Sequence, residues 1–282
     1  MPLKDILVHL DASPRSQARL ALATALARRH GAHLVGLCVV DVVLPVMALA
    51  DGGGGGTLLA ELIDQMRQDG LEAARGIEES FREHVRREGI SAEWRMVEGA
   101  LPEQVALQAR YADLTVVGQV DPDSPVAGAG LALEQVLFAA GRPMLVVPHS
   151  GEFAEVGRRV LLGWNASREA TRAVHDAMPI LAAAERVTVL AVNPATAPNP
   201  HGEEPGADIA LHLARHGVTA QVERGSAAIG AEGDALLNQA TDLAADLIVV
   251  GAYGHSRLRE MVLGGVTRTL LRSMTVPVLM SH

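Results

Sequence analysis

The sequence predicts an α/β protein built of two tandem doubly wound five-stranded parallel-sheet sandwiches that form a pseudo-dimer. Short apolar segments rich in Val, Leu and Ile alternate with amphipathic helices, which is typical of a parallel sheet covered on both faces. The order β-α-β-α-β-α-β-α-β occurs twice along the 282 residues. Because crossovers between parallel strands are right-handed, each half is expected to form its own doubly wound sheet.

An internal repeat divides the chain into two similar halves. Each half opens with an apolar strand, a polar turn that ends in Ala-Ser, an amphipathic helix and a second apolar strand. Proline, glycine and charged residues interrupt the pattern at 148–157. We therefore predict one domain at residues 1–150 and a second at 157–282. The matching segments are 4–40 with 158–194, Asp11-Ala12-Ser13 with Asn165-Ala166-Ser167, and YADLTVVG at 111–118 with AADLIVVG at 244–251.

Composition and charge argue against several classes of function. The chain has 24 basic and 33 acidic residues, a formal charge of −9, and few aromatic residues (three Phe, two Trp and two Tyr). A nucleic-acid partner is not expected, because phosphate neutralisation and base stacking need the opposite balance. No apolar run is long enough for a bilayer span, so no membrane partner is expected. With Cys38 as the only cysteine and no signal-peptide pattern, we expect a cytoplasmic protein.

A glycine-rich crossing in the second half is the strongest indication of function. The segment GAYGHSRLREMVLGGVTRTLLRS, residues 251–273, directly follows the apolar run DLIVV. Its first glycine therefore ends a parallel strand, and open α/β sheets bind ligands at such ends, where the strand order reverses. The adjacent glycines Gly264 and Gly265 open the last helix. The first N–H groups of that helix lack partners within it. Phosphate binding and simple tight turns explain these glycines equally well.

The spacing within this crossing resembles a known signature. Gly-x2-Gly-x9-Gly, followed by a small residue and then Val-Thr, is similar to the nucleotide-binding signature of the universal stress protein family. The paired strand openings, the Ala-Asp-Leu-Ile-Val-Val-Gly strand and the closing Pro-Val-Leu strand resemble that family too, over nearly the whole chain. The resemblance implies an adenine nucleotide alpha hydrolase-like fold, with two copies fused as the usual dimer of single domains would be.

The resemblance also implies a binding site for ATP, with or without Mg²⁺. In ATP-binding members, an acidic residue after the first strand holds the adenosine, and the end of the second strand presents backbone to adenine. Carried onto the second half, this implies Asn165 beside the adenosine and Val192 along the adenine. The glycines and hydroxyls of the signature wrap the ribose and phosphates. The residues implied there are Gly251 and Gly254 by the ribose and phosphates, and Gly264, Gly265, Val266 and Thr267 at the phosphates.

Both halves depart from the family pattern. Asn165 stands where an aspartate is common, and Gly265 stands where Ser or Thr is usual, which removes one hydroxyl from the phosphate site. The first half keeps the acidic residue as Asp11 but lacks the glycine spacing. It places Asp121 and Asp123 where phosphates would lie, and two carboxylates there would repel a triphosphate. We therefore expect the first half to be a degenerate domain that acts as a structural partner.

We expect a universal stress protein with a stress-response or regulatory role that binds ATP in its second half. No general base or metal pair for phosphoryl transfer is evident, so we expect no enzyme activity beyond slow incidental hydrolysis. His212 and His216 lie four residues apart, and without a third ligand they favour a solvated pair over a zinc site. The expected partners are the nucleotide and the other domain of the same chain; a homodimer is left open.

Two alternatives remain. One is a nucleotide-free stress-response module that binds other proteins, which the departure at Gly265 favours. The other is an enzyme of a related α/β class that activates substrates with ATP. Such an enzyme needs a Lys, a His or a metal cluster beside the glycines, where the sequence offers Arg257, Arg259 and Arg268.

Overall fold

The computed structural model describes residues 2–41, 56–121, 129–194, 204–253 and 265–282, in which ten strands and eight helices occur. The first half contains β1 (Asp5–His9), α1 (Ser16–His30), β2 (His33–Val40), α2 (Gly56–Glu88), β3 (Ala92–Glu98), α3 (Leu101–Ala109), β4 (Leu114–Gly118), α4 (Ala129–Ala140) and β5 (Met144–Val147). The second half contains β6 (Arg159–Gly163), α5 (Arg168–Leu181), β7 (Arg186–Val192), α6 (Ala207–Arg215), β8 (Ala220–Gly225), α7 (Glu232–Asp242), β9 (Leu247–Gly251), α8 (Val266–Ser273) and β10 (Val278–Ser281).

The strands of each half follow the order of a doubly wound sheet. The sheet reads β3-β2-β1-β4-β5 in the first half and β8-β7-β6-β9-β10 in the second, and the pairs within each half are parallel. The chain reverses direction across the sheet between β1 and β4, and again between β6 and β9. The predicted α/β class and the predicted duplication are both confirmed. Open α/β sheets bind ligands outside the carboxyl ends of the strands at such reversals.

The two half-sheets join into one sheet through their last strands. β5 and β10 pair antiparallel, with Val146 opposite Val278 and Met144 opposite Met280. All four residues of each strand are buried. An exposed apolar edge strand would expose unpaired backbone groups and apolar side chains, so pairing the two edges removes both costs. The pseudo-dimer is therefore a continuous sheet of ten strands within the described residues.

Two apolar layers cover the faces of this sheet. One layer includes residues of α1 and α5 together with Phe81 of α2, and the other includes residues of α3, α4, α7 and α8. Each layer extends across both halves, so the halves share their cores. The outer strands β3 and β8 are only partly covered, and their side chains alternate between partly buried and exposed. The central strands thus match the predicted continuous apolar pattern, whereas the edges do not.

Candidate functional site

The candidate site lies at the reversal point of the second half. Asn165 follows β6, Val192 ends β7 and Gly251 ends β9. Gly265, Val266 and Thr267 form the start of α8. Two of the predicted site residues, Gly254 and Gly264, lie outside the described residues, as do Asp123, Arg257 and Arg259.

Asn165 forms the turn that leads from β6 into α5. Its Oδ1 accepts a 3.1 Å hydrogen bond from the amide of Ser167, and Ala166 between them has a positive φ of 56°. Ser167 then caps α5 by accepting a 3.1 Å bond from the amide of Ala170. In the first half, Asp11 accepts a 2.9 Å bond from the amide of Ser13 in the same way. Asparagine and aspartate therefore accept the same bond from the amide two residues on. The backbone of the two turns differs, since Ala12 does not share the positive φ of Ala166 and α5 begins sooner after its strand than α1 does.

Gly251 has a packing role that does not depend on a ligand. A Cβ at this position would overlap the backbone of Glu169 and Ala170, and it would lie 2.8 Å from the carbonyl oxygen of Glu169. The first turn of α5 therefore rests directly on the end of β9. The close approach that this glycine permits is therefore made between two parts of the same chain.

A hydrogen bond joins the start of α8 to the end of β9. The amide of Tyr253 donates to Thr267 Oγ1 at 3.1 Å, and Thr267 is 2% exposed. The first backbone bond of the helix runs from Thr269 N to Gly265 O, at 3.2 Å. The amides of Val266 and Thr267 precede that bond, so they have no acceptor within the helix. The two described ends of the glycine-rich segment, at Tyr253 and Thr267, therefore meet beside the end of β9.

The end of β7 forms a second wall of the site. Val192 is half-buried and pairs in register with Gly225 of β8. The next residue, Asn193, has a positive φ of 49° and exchanges two hydrogen bonds with the backbone of Ala227, at 2.9 and 3.0 Å. These bonds fix the loop after β8 beside Val192. The sequence analysis did not identify Asn193, although a polar residue directly after a buried strand is a usable signal.

The matching corner of the first half holds a buried guanidinium. Arg19 of α1 is 3% exposed, its Nη2 lies 2.7 Å from Asp11 Oδ2, and its Nε donates a 3.1 Å bond to the carbonyl of His9. A Cβ on Gly118, which ends β4, would overlap Nη1 of Arg19. Sequence patterns alone did not point to Arg19. The sequence does contain one signal, because the repeat aligns Arg19, a charged residue, with the apolar Ala173 of the second half.

This guanidinium determines the ionisation of its neighbours. Burial alone would raise the pKa of Asp11, but the charge of Arg19, with smaller effects from His9 and Ser13, lowers it below the ordinary value. Burial first, and then the charge of Arg19, lower the pKa of His9 to about 4. Burial and the charge of Asp11 raise the pKa of Cys38 to about 11. At neutral pH the corner therefore holds a carboxylate–guanidinium pair beside a neutral imidazole and a neutral thiol.

Contacts across the β5–β10 junction connect the site to the first half. Gln119, which is 6% exposed and follows β4, donates a 2.9 Å bond from Nε2 to the carbonyl of Leu271 in α8. Its Oε1 accepts a 3.0 Å bond from the amide of His149. The ring of Tyr253 lies 4.7 Å from the ring of Phe138 in α4, centroid to centroid. The helix that starts at the candidate site is thus attached to the other half.

Two further findings for the described residues concern metal ligands and membrane-spanning helices. The ring of His175 lies 5.3 Å from that of His212, which in turn lies 4.7 Å from that of His216. The structure thus adds a third histidine to the pair seen in the sequence. In the described ranges, no group of three or more His, Cys, Asp or Glu side chains has an arrangement that could hold a metal ion. None of the helices in those ranges has the length and apolar character needed to cross a bilayer.

Comparison with known proteins agrees with this architecture. Residues 157–282 match the model of the universal stress protein family. Over 51 residues the chain is 41% identical to the universal stress protein Slr1230 of Synechocystis sp., a segment that spans 18% of this chain and 18% of that relative.

Solved structures extend the likeness to both halves. A universal stress protein from Archaeoglobus fulgidus has a TM-score of 0.71 at 18% identity, covering 98% of this chain and 95% of that one. A functionally unknown protein from Pseudomonas aeruginosa has a TM-score of 0.59 at 16% identity, covering 99% and 92%. At these identities the structures establish the fold. The family match places residues 157–282 in the universal stress protein family, and the solved structures show the same fold across both halves.

Proposed function

We propose that the second half binds an adenine nucleotide, ATP, and that this binding serves a stress-response or regulatory role without dedicated catalysis. The main support is the hydrogen bond from Tyr253 N to Thr267 Oγ1, which holds the first turn of α8 against the end of β9. Amides without helical partners and the positive end of the helix dipole then lie beside the reversal of strand order. A phosphate is stabilised at a helix end of this kind.

The chemistry of the described residues fits the parts of ATP. The amide of Val266 is a donor suited to phosphate oxygens, and Gly265 has no Cβ that would keep a phosphate away from the backbone. Val192 offers aliphatic surface and backbone groups to the adenine. Asn165 has an amide side chain, which can both donate to and accept from ribose hydroxyls. None of these four residues is a carboxylate, so Mg²⁺ would be held by phosphate oxygens and water.

We also propose that the bound nucleotide acts through α8. The helix begins at the proposed phosphate site, and the carbonyl of Leu271 near its other end accepts a bond from Gln119 of the first half. A ligand changes a conformational population only through different affinities for the two states. Ordering of the start of α8 is a difference that the first half can sense through this bond.

A nucleotide-free module that binds other proteins is the second candidate. Two side-chain oxygens that were expected to contact the nucleotide already accept hydrogen bonds from the protein itself, which favours this candidate. Asn165 Oδ1 accepts from Ser167 N, and Thr267 Oγ1 accepts from Tyr253 N. In this alternative, the two bonds only stabilise the fold.

Calorimetry and native mass spectrometry separate the two candidates. We expect ATP to release or absorb heat on binding to the whole chain, with or without Mg²⁺, and we expect nucleotide to co-purify with the protein. Absence of heat at millimolar ATP, together with a protein mass that contains no nucleotide, would reject the first candidate in favour of the second. Measuring phosphate release in the same samples tests the proposal that the protein is not a dedicated enzyme.

A further inference from the structure

We propose that Arg19 closes the ligand corner of the first half and thereby restricts ligand binding to the second half of the chain. The proposal depends on the proposed function for its choice of ATP as a probe. It concerns a different half of the molecule, however, and a residue that the family signature does not include.

The guanidinium of Arg19 fills the space at the reversal point of the first half. It lies between the end of β1, where its Nε donates to the carbonyl of His9 at 3.1 Å, and the end of β4, where a Cβ on Gly118 would overlap its Nη1. With 3% of its surface exposed, Arg19 is part of the interior. In an open α/β sheet this is the place where a ligand would bind.

Both carboxylate oxygens of Asp11 have partners in the same arrangement, and 39% of its side chain remains exposed. Its Oδ1 accepts from the amide of Ser13 at 2.9 Å, and its Oδ2 lies 2.7 Å from Arg19 Nη2. A ligand that needed this carboxylate would have to separate it from Arg19. Separation would leave a buried guanidinium without its counter-ion, which is strongly unfavourable.

The second half shows the same corner without the arginine. The repeat aligns Arg19 with Ala173, as it aligns Asp11 with Asn165. Ala173 is fully buried, and the first turn of α5 rests directly on Gly251. In the first half, by contrast, the arginine side chain lies between α1 and Gly118. The glycine that ends the fourth strand of each half therefore meets an arginine side chain in the first half and the helix backbone itself in the second.

The test uses variants that copy the second half into the first. The double variant D11N/R19A places the residues of Asn165 and Ala173 at the aligned positions, so it leaves no unpaired buried charge. The matched control D11N/R19M removes the same charges but keeps an unbranched apolar side chain in the space that the stem of Arg19 occupies. A lower stability of D11N/R19A does not prevent the comparison, because the control has the same charge and differs only in filled volume.

Cys38 reports on closure without any nucleotide. It is the only cysteine, it is 5% exposed, and it follows Leu37, whose carbonyl accepts a 2.8 Å bond from the amide of Leu10, the residue before Asp11. We expect N-ethylmaleimide to label Cys38 roughly tenfold faster or more in D11N/R19A than in D11N/R19M or the unmodified chain, because accessibility limits the reaction of a buried thiol. Equal labelling rates in the two variants would overturn the proposal, whatever the nucleotide data show.

Binding stoichiometry tests the restriction to one half. We expect calorimetry to give one ATP per unmodified chain. Two ATP molecules per chain would overturn the restriction while upholding the proposed function. No bound ATP would overturn the proposed function instead, and the labelling rates of Cys38 would still decide whether Arg19 closes the first half.

Discussion

Thr267 Oγ1 accepts a 3.1 Å hydrogen bond from the amide of Tyr253, and this bond joins the last helix to the strand that ends at Gly251. Fourteen positions separate the two residues along the chain. The hydroxyl group thus fixes where the amides of the first turn of α8, which have no acceptor within the helix, lie relative to the sheet. A residue that the sequence suggests as a phosphate ligand therefore also has a structural role, and both roles can be tested.

Replacing Thr267 with valine should weaken both stability and ATP binding. Valine keeps the branched shape but cannot accept the bond from Tyr253, so we expect a loss of about 1–2 kcal/mol in the free energy of unfolding. Calorimetry should show a loss of affinity for ATP as the start of α8 is released. The control is Thr241→Val on α7, where the exposed hydroxyl donates to Leu237 O at 3.0 Å. The control should change stability by less than about 0.5 kcal/mol, and equal losses in the two variants would contradict this role.

Replacing Gly265 with serine should strengthen ATP binding. Gly265 precedes α8 with φ −33° and ψ 157°, and a shift of about 30° in φ brings it to the extended conformation that serine favours at a helix start. One added hydrogen bond to a phosphate is worth about 1 kcal/mol, or roughly fivefold in affinity. Gly265→Ala adds the Cβ without the hydroxyl, so it should show no gain in calorimetry. If the serine variant binds ATP no more tightly than the alanine variant, the hydroxyl does not reach the ligand.

Replacing Gly251 with alanine should destabilise the fold by about 1–3 kcal/mol. The added methyl group would overlap the backbone of Ala170 and Glu169, and backbone cannot move aside as a flexible side chain can. The matched control is Gly76→Ala, an exposed position inside α2 where an added Cβ meets nothing within 4 Å. The control should stabilise the protein by about 0.5–1 kcal/mol, because alanine favours helix. Urea unfolding of both variants measures the contrast; two changes of the same sign would refute it.

Acidification should destabilise the protein through His9. Its pKa is lowered from the ordinary value of 6.5 to about 4 by burial and by the charge of Arg19. The unfolded chain therefore takes up a proton on His9 in that range before the folded protein does. Stability should fall as the pH drops from 6.5 towards 4, by roughly 3 kcal/mol at most.

The His9→Gln variant isolates this contribution. Glutamine does not titrate, so unfolding free energies measured across the same pH range should decline less steeply than in the unmodified protein. His30 and His84, whose pKa values are also lowered first by burial, remain in both proteins and their effect cancels. Identical pH profiles would show that His9 does not titrate as described.

The sequence predicts the fold well because its signals are local. Each signal lies within a contiguous segment: an apolar run, a helical periodicity, or the polar residue of a turn at Asp11 and Asn165. These segments form the strands, helices and turns that they indicate. The location of the candidate corner also follows from the sequence, since Gly251 ends an apolar strand of a doubly wound sheet. The domain boundaries at 1–150 and 157–282 and the roles of the site residues stay predictions.

The sequence could not predict which groups meet within each corner. The close contact of Gly251 with Glu169 spans 82 positions, and the place of Arg19 beside Gly118 spans 99. Neither pair is related by the periodicity of one helix or strand. Their contacts depend on the angle at which a helix packs on the sheet, and that angle is set by the whole buried layer.

By itself, the sequence determined that this protein has two α/β halves and a glycine-rich crossing after the fourth strand of the second. Only the tertiary structure decided that β5 and β10 join those halves into one sheet, that Arg19 fills one corner, and that Thr267 fastens the start of α8 beside the other. The physical reason is the range of the interactions. Propensity and patterning act over a few residues, whereas edge pairing, burial of a charge and a tertiary hydrogen bond exist only once distant segments have packed together.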